Sequence, residues 1–491
     1  MIMPIPALNR SQYIAAAVIY LYVFIVFPAS THAASSLSSK SYEPLTRQQL
    51  LRVLTLSDYN TRVVVIGTML LGIASGIVGT FMLLRKRALI SDAISHATLP
   101  GIALAFILVT MMGGDGKSLP ILLLAAVVAA VIGVGCVLAI RNLTRLKEDA
   151  ALGIVLSVFF GLGIALLGVV QKMSTGNAAG LESFIYGKTA SMLMLDAKLI
   201  AITGAIAVIL CLLMLKEFSL VCFDQSYAAA QGWPVVMLDV TMMLLVVAVT
   251  VVGLQAVGLI LVVAMLIIPP AAARFWTQRL TRSLIIAAFF GGFSGLVGAV
   301  ISALFSDLPS GAIIVVVSST LFVISLLFGI RRGAIRRAVE YQLLRRRVSH
   351  QHLLRAMYEW QESQLANSNT TDQLAMTWGD LMAKRSWTTR QLRRQLRTLQ
   401  LRKLVTRHKD NTWRLSDTGL AKAARATRNH RLWEMYLITH ADIAPSHVDR
   451  DADMVEHVLG QDMVGKLEVL IEADDQRPDI PPSPHNLGAT S

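Results

Sequence analysis

The sequence predicts an all-α polytopic membrane protein that ends in a soluble winged helix-turn-helix and helical region. Three observations predict it. The 491 residues are 54% hydrophobic and 15% charged, too apolar for a soluble chain and too long for one ordinary domain. Apolar segments near the ~20 residues that a helix needs to cross a bilayer recur between residues 62 and 330. From Arg331 onward the composition turns abruptly soluble: residues 331–430 hold 22 Lys+Arg against 7 Asp+Glu, and residues 431–491 hold 4 against 12.

In chain order, residues 1–35 read as a signal peptide or N-terminal anchor. Their apolar stretch at 13–29 follows Arg10 and ends in small residues, Ala33-Ala34-Ser35, that resemble a signal-peptidase site, so the segment is either cleaved or retained. Residues 36–61 form an external segment. Nine candidate spans follow at 62–84, 89–112, 119–140, 149–170, 193–215, 235–254, 256–273, 283–305 and 311–330. Basic residues follow every second span: Arg85-Lys86-Arg87, Arg141/Arg145/Lys147, Lys216, Arg274/Arg279/Arg282 and Arg331-Arg332. By the positive-inside bias these loops and the C-terminal region are cytoplasmic, in a plasma (inner) membrane, and the Arg-poor loops at 113–118, 171–189 and 307–310 are external. Cys136, Cys211 and Cys222 fall in or beside spans without a C-x-x-C, and read as buried structural thiols.

The most informative polar feature is Asp92 and His96. Residues four apart on a helix share a face, so a carboxylate and an imidazole converge within a hydrophobic run. Such residues mark pathways, partners or cavities, because burying a charge at mid-membrane costs roughly 2.5–3.5 kcal/mol. One oxygen and one nitrogen donor suit a divalent transition metal. No other histidine lies between Thr61 and Ile330.

Other motifs are structural or docking signals. Gly67, Gly72, Gly76 and Gly79 in the first span, and Gly291, Gly292, Gly295 and Gly298 in the eighth, form stripes for close helix packing. Pro269-Pro270 should kink or end the seventh span. The segment 217–234, with Ala228, Ala229 and Ala230 before Gly232 and Pro234, reads as a short helix on the membrane face, docked into a partner. Gly187-Lys188-Thr189 resembles the end of a phosphate-binding loop, but Glu182 stands where its first glycine belongs. The chain is therefore expected to have no nucleotide site of its own and not to be an enzyme.

Together the segments Leu84–Gly101, Ala228–Pro234 and Val257–Arg274 resemble the permeases of ABC importers for zinc, manganese and iron, over about Thr61 to Ile330. The resemblance implies an ABC metal permease transmembrane domain over 62–330, working as a homodimer or with a paired permease subunit. It implies a cytoplasmic ABC ATPase docked on Ala228, Ala229, Gly232 and Pro234, and an extracytoplasmic metal-binding protein that delivers the ion. It implies that Asp92 and His96 line the translocation path.

The tail begins with a basic juxtamembrane linker, 331–348, suited to anionic headgroups. Helices are expected at 349–365 and 373–384, then one in which Leu392, Leu396 and Leu399 stripe one face while Arg390, Arg393, Arg394 and Arg397 crowd the other. Thr388 or Thr389 is the N-cap. Residues 404–407 and 412–415 read as a hairpin, completing a winged helix-turn-helix domain over 349–420 whose arginines are placed for DNA phosphates. Further on, His430 and Glu434 are four apart, and Asp453, Glu456 and His457 share another helical face. Two such faces packed together make an oxygen and nitrogen site for manganese or iron.

The stretch 349–475 resembles the iron/manganese-dependent (diphtheria-toxin-repressor-like) repressors. That resemblance implies metal-binding and dimerisation helices over 421–475, before a disordered tail at 476–491, and a further ligand from the first helix. His352 and Arg355 fall at the aligned positions; only His352 can ligate. The full expectation is thus nine spans with a C-terminal cytoplasmic winged helix-turn-helix and helical metal-binding domain. Its function is ATP-driven import of manganese, zinc or iron under metal-responsive control, or alternatively membrane-tethered metal-dependent transcriptional regulation with little transport.

Overall fold

The structure, a computed structural model, describes residues 51–440 apart from 54, 86, 88, 115–117, 174–188, 190–191, 306–307, 368–374, 385–386 and 409. The chain divides into two compact units, Met1–Ala338 and Val339–Ser491. The N-terminal segment 13–29 and the tail beyond residue 440 lie outside the described residues.

Each of the nine apolar segments carries a helix: α1 (Tyr59–Leu84), α2 (Ile90–Met111), α3 (Leu119–Leu143), α4 (Glu148–Lys172) and α5 (Met194–Leu213), then α8 (Val235–Val257), α9 (Leu259–Ala273), α10 (Leu280–Leu304) and α11 (Ser310–Phe328). Two short helices, α6 (Leu215–Phe223) and α7 (Gln225–Ala230), lie between α5 and α8. Eight of the nine are long and apolar enough to cross a membrane. The exception, α9, has 15 residues, about 22 Å at the helical rise against a hydrocarbon core of ~30 Å. A single residue separates it from α8. Gly258 sits there at φ +85°, a left-handed conformation that favours glycine and reverses the chain without a loop. The sequence places the break between spans at residue 255, three residues before the observed one.

α1 is the central helix, with 78% of its apolar window buried against 17% for α4 and for α11. The two glycine stripes explain its position. Gly72 lies against the backbone of Gly291, Gly76 against that of Ala287, and Gly295 against that of Thr68, so α1 and α10 meet backbone to backbone. Thr68 Oγ1 donates to the Gly295 carbonyl at 3.1 Å across this seam. α9 continues through Pro269 and Pro270 to Ala273 instead of ending at them. Pro270 has no amide to return to the Leu266 carbonyl, and Gly79 of α1 packs against that same carbonyl.

α12 (Ala334–Asn367), most of which lies in the second unit, is one continuous 34-residue helix, where the sequence predicts a basic linker at 331–348 followed by a helix at 349–365. α13 (Trp378–Lys384) and α14 (Thr389–Leu401) follow, then β1 (Val405–Arg407), β2 (Trp413–Leu415) and α15 (Asp417–His440). The strands pair antiparallel as Val405↔Leu415, Thr406↔Arg414 and Arg407↔Trp413, and Met376 adds a bridge to Trp413. Asn411 holds the hairpin turn at φ +59°, a conformation its short polar side chain tolerates. Thr388 is the N-cap of α14: its side chain accepts from the Gln391 amide, and the Gln391 side chain answers the Thr388 amide. Leu392, Leu396 and Leu399 are buried with Leu353, Met357 and Trp413. The expected helix-turn-helix and wing therefore assemble on the predicted apolar face.

Candidate metal path, coupling segment and regulatory pair

α2 opens with Asp92 in its first turn, where the helix dipole favours a carboxylate. His96 follows one turn later, its Nε2 3.4 Å from Asp92 Oδ1, with the side chains 17% and 31% exposed respectively. The pair is accessible, whereas its neighbours Ser91, Ser95, Ala97 and Thr98 are buried. Ser95 and Thr98 turn their hydroxyls back onto the carbonyls of Ser91 and Ser95, at 2.7 and 2.6 Å. Pro100 lies within the helix and offers no amide to the His96 carbonyl. The imidazole packs edge-on against Phe160 of α4, centroids 4.7 Å apart, and its Nδ1 is buried without a hydrogen-bond partner. Small residues bring the walls close: Gly101 meets Ala125 and Ala129 of α3, Gly133 of α3 meets Ala97, and Gly163 of α4 meets Leu99 and Pro100. Among the described residues no three His, Cys, Asp or Glu come together; Asp92 and His96 bring one oxygen and one nitrogen donor side by side.

The α6–α7 segment is built around Asp224. Its carboxylate accepts from the Tyr227 amide at 2.9 Å and from the Ser226 hydroxyl at 2.8 Å, capping the six-residue α7. These bonds, the Tyr227 amide foremost, hold its carboxyl below the ordinary range. Ala228 is buried whereas Ala229, Gly232 and Pro234 are exposed. Gly232 takes φ +81°, and Pro234 caps α8. Beside this turn an apolar recess is lined by Ala229, Trp233, Val236 and Met237. Burial pushes the Cys222 thiol up to about 12, in keeping with a neutral structural cysteine.

The sequence pattern did not single out Asp239 of α8, a buried carboxylate that meets three guanidiniums. It is 2% exposed and meets Arg85 at 2.7 Å, Arg87 at 3.1 Å and Arg141 at 3.9 Å. Breaking such a buried pair typically costs roughly 3–5 kcal/mol, since it strands an uncompensated charge. The available signal was an acidic residue inside the apolar span 235–254, the same signal that marks Asp92.

In the second unit His430 and Glu434 lie one turn apart on α15, both 2% exposed, with Nε2 3.2 Å from Oε1. A buried imidazole nitrogen and carboxylate oxygen fit a manganese or iron ion. Asp453, Glu456 and His457 lie outside the described residues. His352 forms no three-ligand group with His430 and Glu434; it lines a basic recess with Arg346, His350, Trp387, Arg394 and Arg402. Burial, followed by the charges of Arg402 and Arg346, lowers the pKa of His350. Arg355 is 3% exposed and pairs with Glu359 at 3.2 Å. Arg431 clamps Glu362 through both nitrogens, Nη1 to Oε1 at 3.0 Å, tying α15 to α12. Arg390, Arg393, Arg394 and Arg397 are all exposed, opposite the buried leucines of α14.

Comparison with known proteins agrees with this division. Residues 57–329 match the ABC 3 transport family, and residues 416–485 match the iron dependent repressor, metal binding and dimerisation domain. The manganese transport system membrane protein MntC of Bacillus subtilis is 38% identical over 398 residues, 81% of this chain and 88% of that protein. The zinc transport system membrane protein TroC of Treponema pallidum is 42% identical over 291 residues, 59% of this chain and 94% of that protein. Among solved structures, PsaBC from Streptococcus pneumoniae in complex with Fab aligns with TM-score 0.51 and 29% identity, over 60% of this chain and 100% of that one. A family model matched across more than half of the sequence, together with a relative matched across most of it, establishes that this chain belongs to the ABC 3 transport family.

Proposed function

We propose that the chain is the permease subunit of an ATP-driven importer of a divalent transition metal (manganese, zinc or iron), with a fused C-terminal metal-responsive domain. The observation that carries this reading is the accessible Asp92–His96 pair, 3.4 Å apart, on a helix of an ABC 3 family chain. Two donors per protomer fall short of a four-coordinate ion, so a second permease subunit supplies another pair or water completes the shell. Relatives named for manganese and zinc transport support that cargo class. Hydrolysis belongs to a separate cytoplasmic ATPase that docks on the α6–α7 segment at Ala228, Ala229, Gly232 and Pro234, and an extracytoplasmic binding protein delivers the ion. The protein resides in the plasma (inner) membrane with its C-terminal domain cytoplasmic.

In the tail, His430 and Glu434 form one half of a regulatory metal site, completed by Asp453, Glu456 and His457, with His352 as a further candidate. The exposed arginines of α14 favour a second role, DNA contact by Arg390, Arg393, Arg394 and Arg397, which would make the chain a membrane-tethered transcriptional regulator as well. The test is metal accumulation in membrane vesicles holding the assembled transporter. ATP should drive it and a non-hydrolysable analogue should not; equal accumulation with both would overturn an ATP-driven mechanism.

A further inference from the structure

We propose that Asp239 is a positioning residue for transport: it locks the α6–α7 segment to the α1–α2 turn, so that movement of that segment is delivered to Asp92 and His96. The proposal rests on the reading of α6–α7 as the ATPase docking segment.

The linkage runs through hydrogen bonds and ion pairs. Arg85, the residue after α1, donates from Nη1 to the Val221 carbonyl of α6 at 2.9 Å and reaches the side-chain oxygen of Gln225, the first residue of α7, at 3.4 Å. Its Nη2 donates to Asp239 at 2.8 Å. Asp239 in turn holds Arg87 at 3.1 Å. The carbonyl of Arg87 accepts the Ile90 amide at 3.0 Å, which is the first residue of α2. Asp92 and His96 follow within two turns. The Asp239 carboxylate of α8 thus joins both ends of the α1–α2 turn, and through Arg85 reaches α6 and α7, with Arg141 at the end of α3 as a third guanidinium.

Apolar contacts slide past one another, whereas charge-assisted hydrogen bonds in a low-dielectric interior hold direction and length. The side chains of Arg85 and Asp239 are 8% and 2% exposed, so water does not readily replace these bonds. A shift of Val221 and Gln225 must then break the lock or carry the start of α2 with it. Three guanidiniums share one carboxylate, which makes Asp239 the member whose charge holds the others together.

The experiment uses the complete transporter, with its ATPase and binding protein, in proteoliposomes, and reads the ratio of metal taken up to ATP hydrolysed. Asp239→Asn and Arg85→Gln should each keep the ATPase bound and hydrolysing while the ratio falls at least about tenfold, a loss of coupling worth ~1.4 kcal/mol or more. Asp239→Glu should restore more than half of it. Arg85→Gln removes one of three positive charges around the carboxylate, so it decides the matter should Asp239→Asn fail to accumulate. A ratio within about twofold of the parent in both variants, or uptake and hydrolysis falling in parallel, would overturn the proposal. Ala229→Glu, at an exposed position of α7, separates the underlying reading: it should release the ATPase, and retention of the ATPase there would refute docking on this segment while leaving the Asp239 ratios to stand or fall alone.

Discussion

His96 Nε2 stands 3.4 Å from Asp92 Oδ1 on adjacent turns of α2, with both side chains partly accessible inside an otherwise apolar helix. Taking an ion pair out of water carries a desolvation cost that its mutual attraction often only balances, so stability alone does not account for this pair. Here the imidazole Nδ1 is buried without a hydrogen-bond partner and the ring packs edge-on against Phe160. On the proposed reading, the pair supplies one nitrogen and one oxygen donor to a passing ion.

The α1–α10 seam predicts a sharp contrast between glycines. Gly72→Val introduces a side chain into the backbone of Gly291, and should lower thermal stability in detergent by an amount typical of overpacking, about 1–3 kcal/mol or more. Gly135→Ala meets nothing within 4 Å and should leave the melting temperature unchanged. Thermal unfolding of the two variants side by side checks the contrast, and similar melting temperatures would refute the seam.

The α6–α7 segment should depend on pH through Asp224. Hydrogen bonds from the Tyr227 amide and Ser226 hold its carboxyl below the ordinary value of ~4. A carboxyl whose pKa is depressed by folding stabilises the fold above its unfolded pKa, and that contribution is lost as pH falls through the lowered one. Protection of the Tyr227 amide in hydrogen exchange should therefore persist at neutral pH, fall on acidification below that range, and be absent at all pH values in Asp224→Ala. Protection that survives in Asp224→Ala would show that another group caps α7.

For the tail, if the His430–Glu434 pair holds metal as proposed, His430→Ala in the full-length chain should weaken manganese binding by about tenfold or more, since even outer-shell losses cost 10–100-fold. Calorimetric titration reads this directly. Unaltered affinity would remove the His430–Glu434 pair from any metal site.

Much of the fold was legible because hydropathy and period act locally. Nine apolar segments became nine helices, and the leucines 392, 396 and 399 turned inward as their spacing required. The Thr388 cap follows from local chemistry alone. What the sequence hid was non-local or confined to one residue. The sequence separates 235–254 from 256–273, but that the join is one left-handed residue, Gly258, and the second helix only 15 residues long is not visible in a sliding average. Pro269 and Pro270 did not end α9, because tertiary packing against α1 tolerates the ladder they interrupt. Asp239 is 154 residues from Arg85 in sequence, so nothing local announces their pairing. Asp92 and His96 were visible because their partnership spans a single helical turn.

The measurement that tests the central claim most directly is uptake of radiolabelled Mn²⁺, Zn²⁺ and Fe²⁺ by cells producing the complete transporter. The parent chain is compared with Asp92→Ala and His96→Ala at equal membrane levels. If the metal passes this pair, uptake of the cargo ion falls at least about tenfold in both variants while the chain remains inserted. Uptake at the parent rate in either variant would contradict the account.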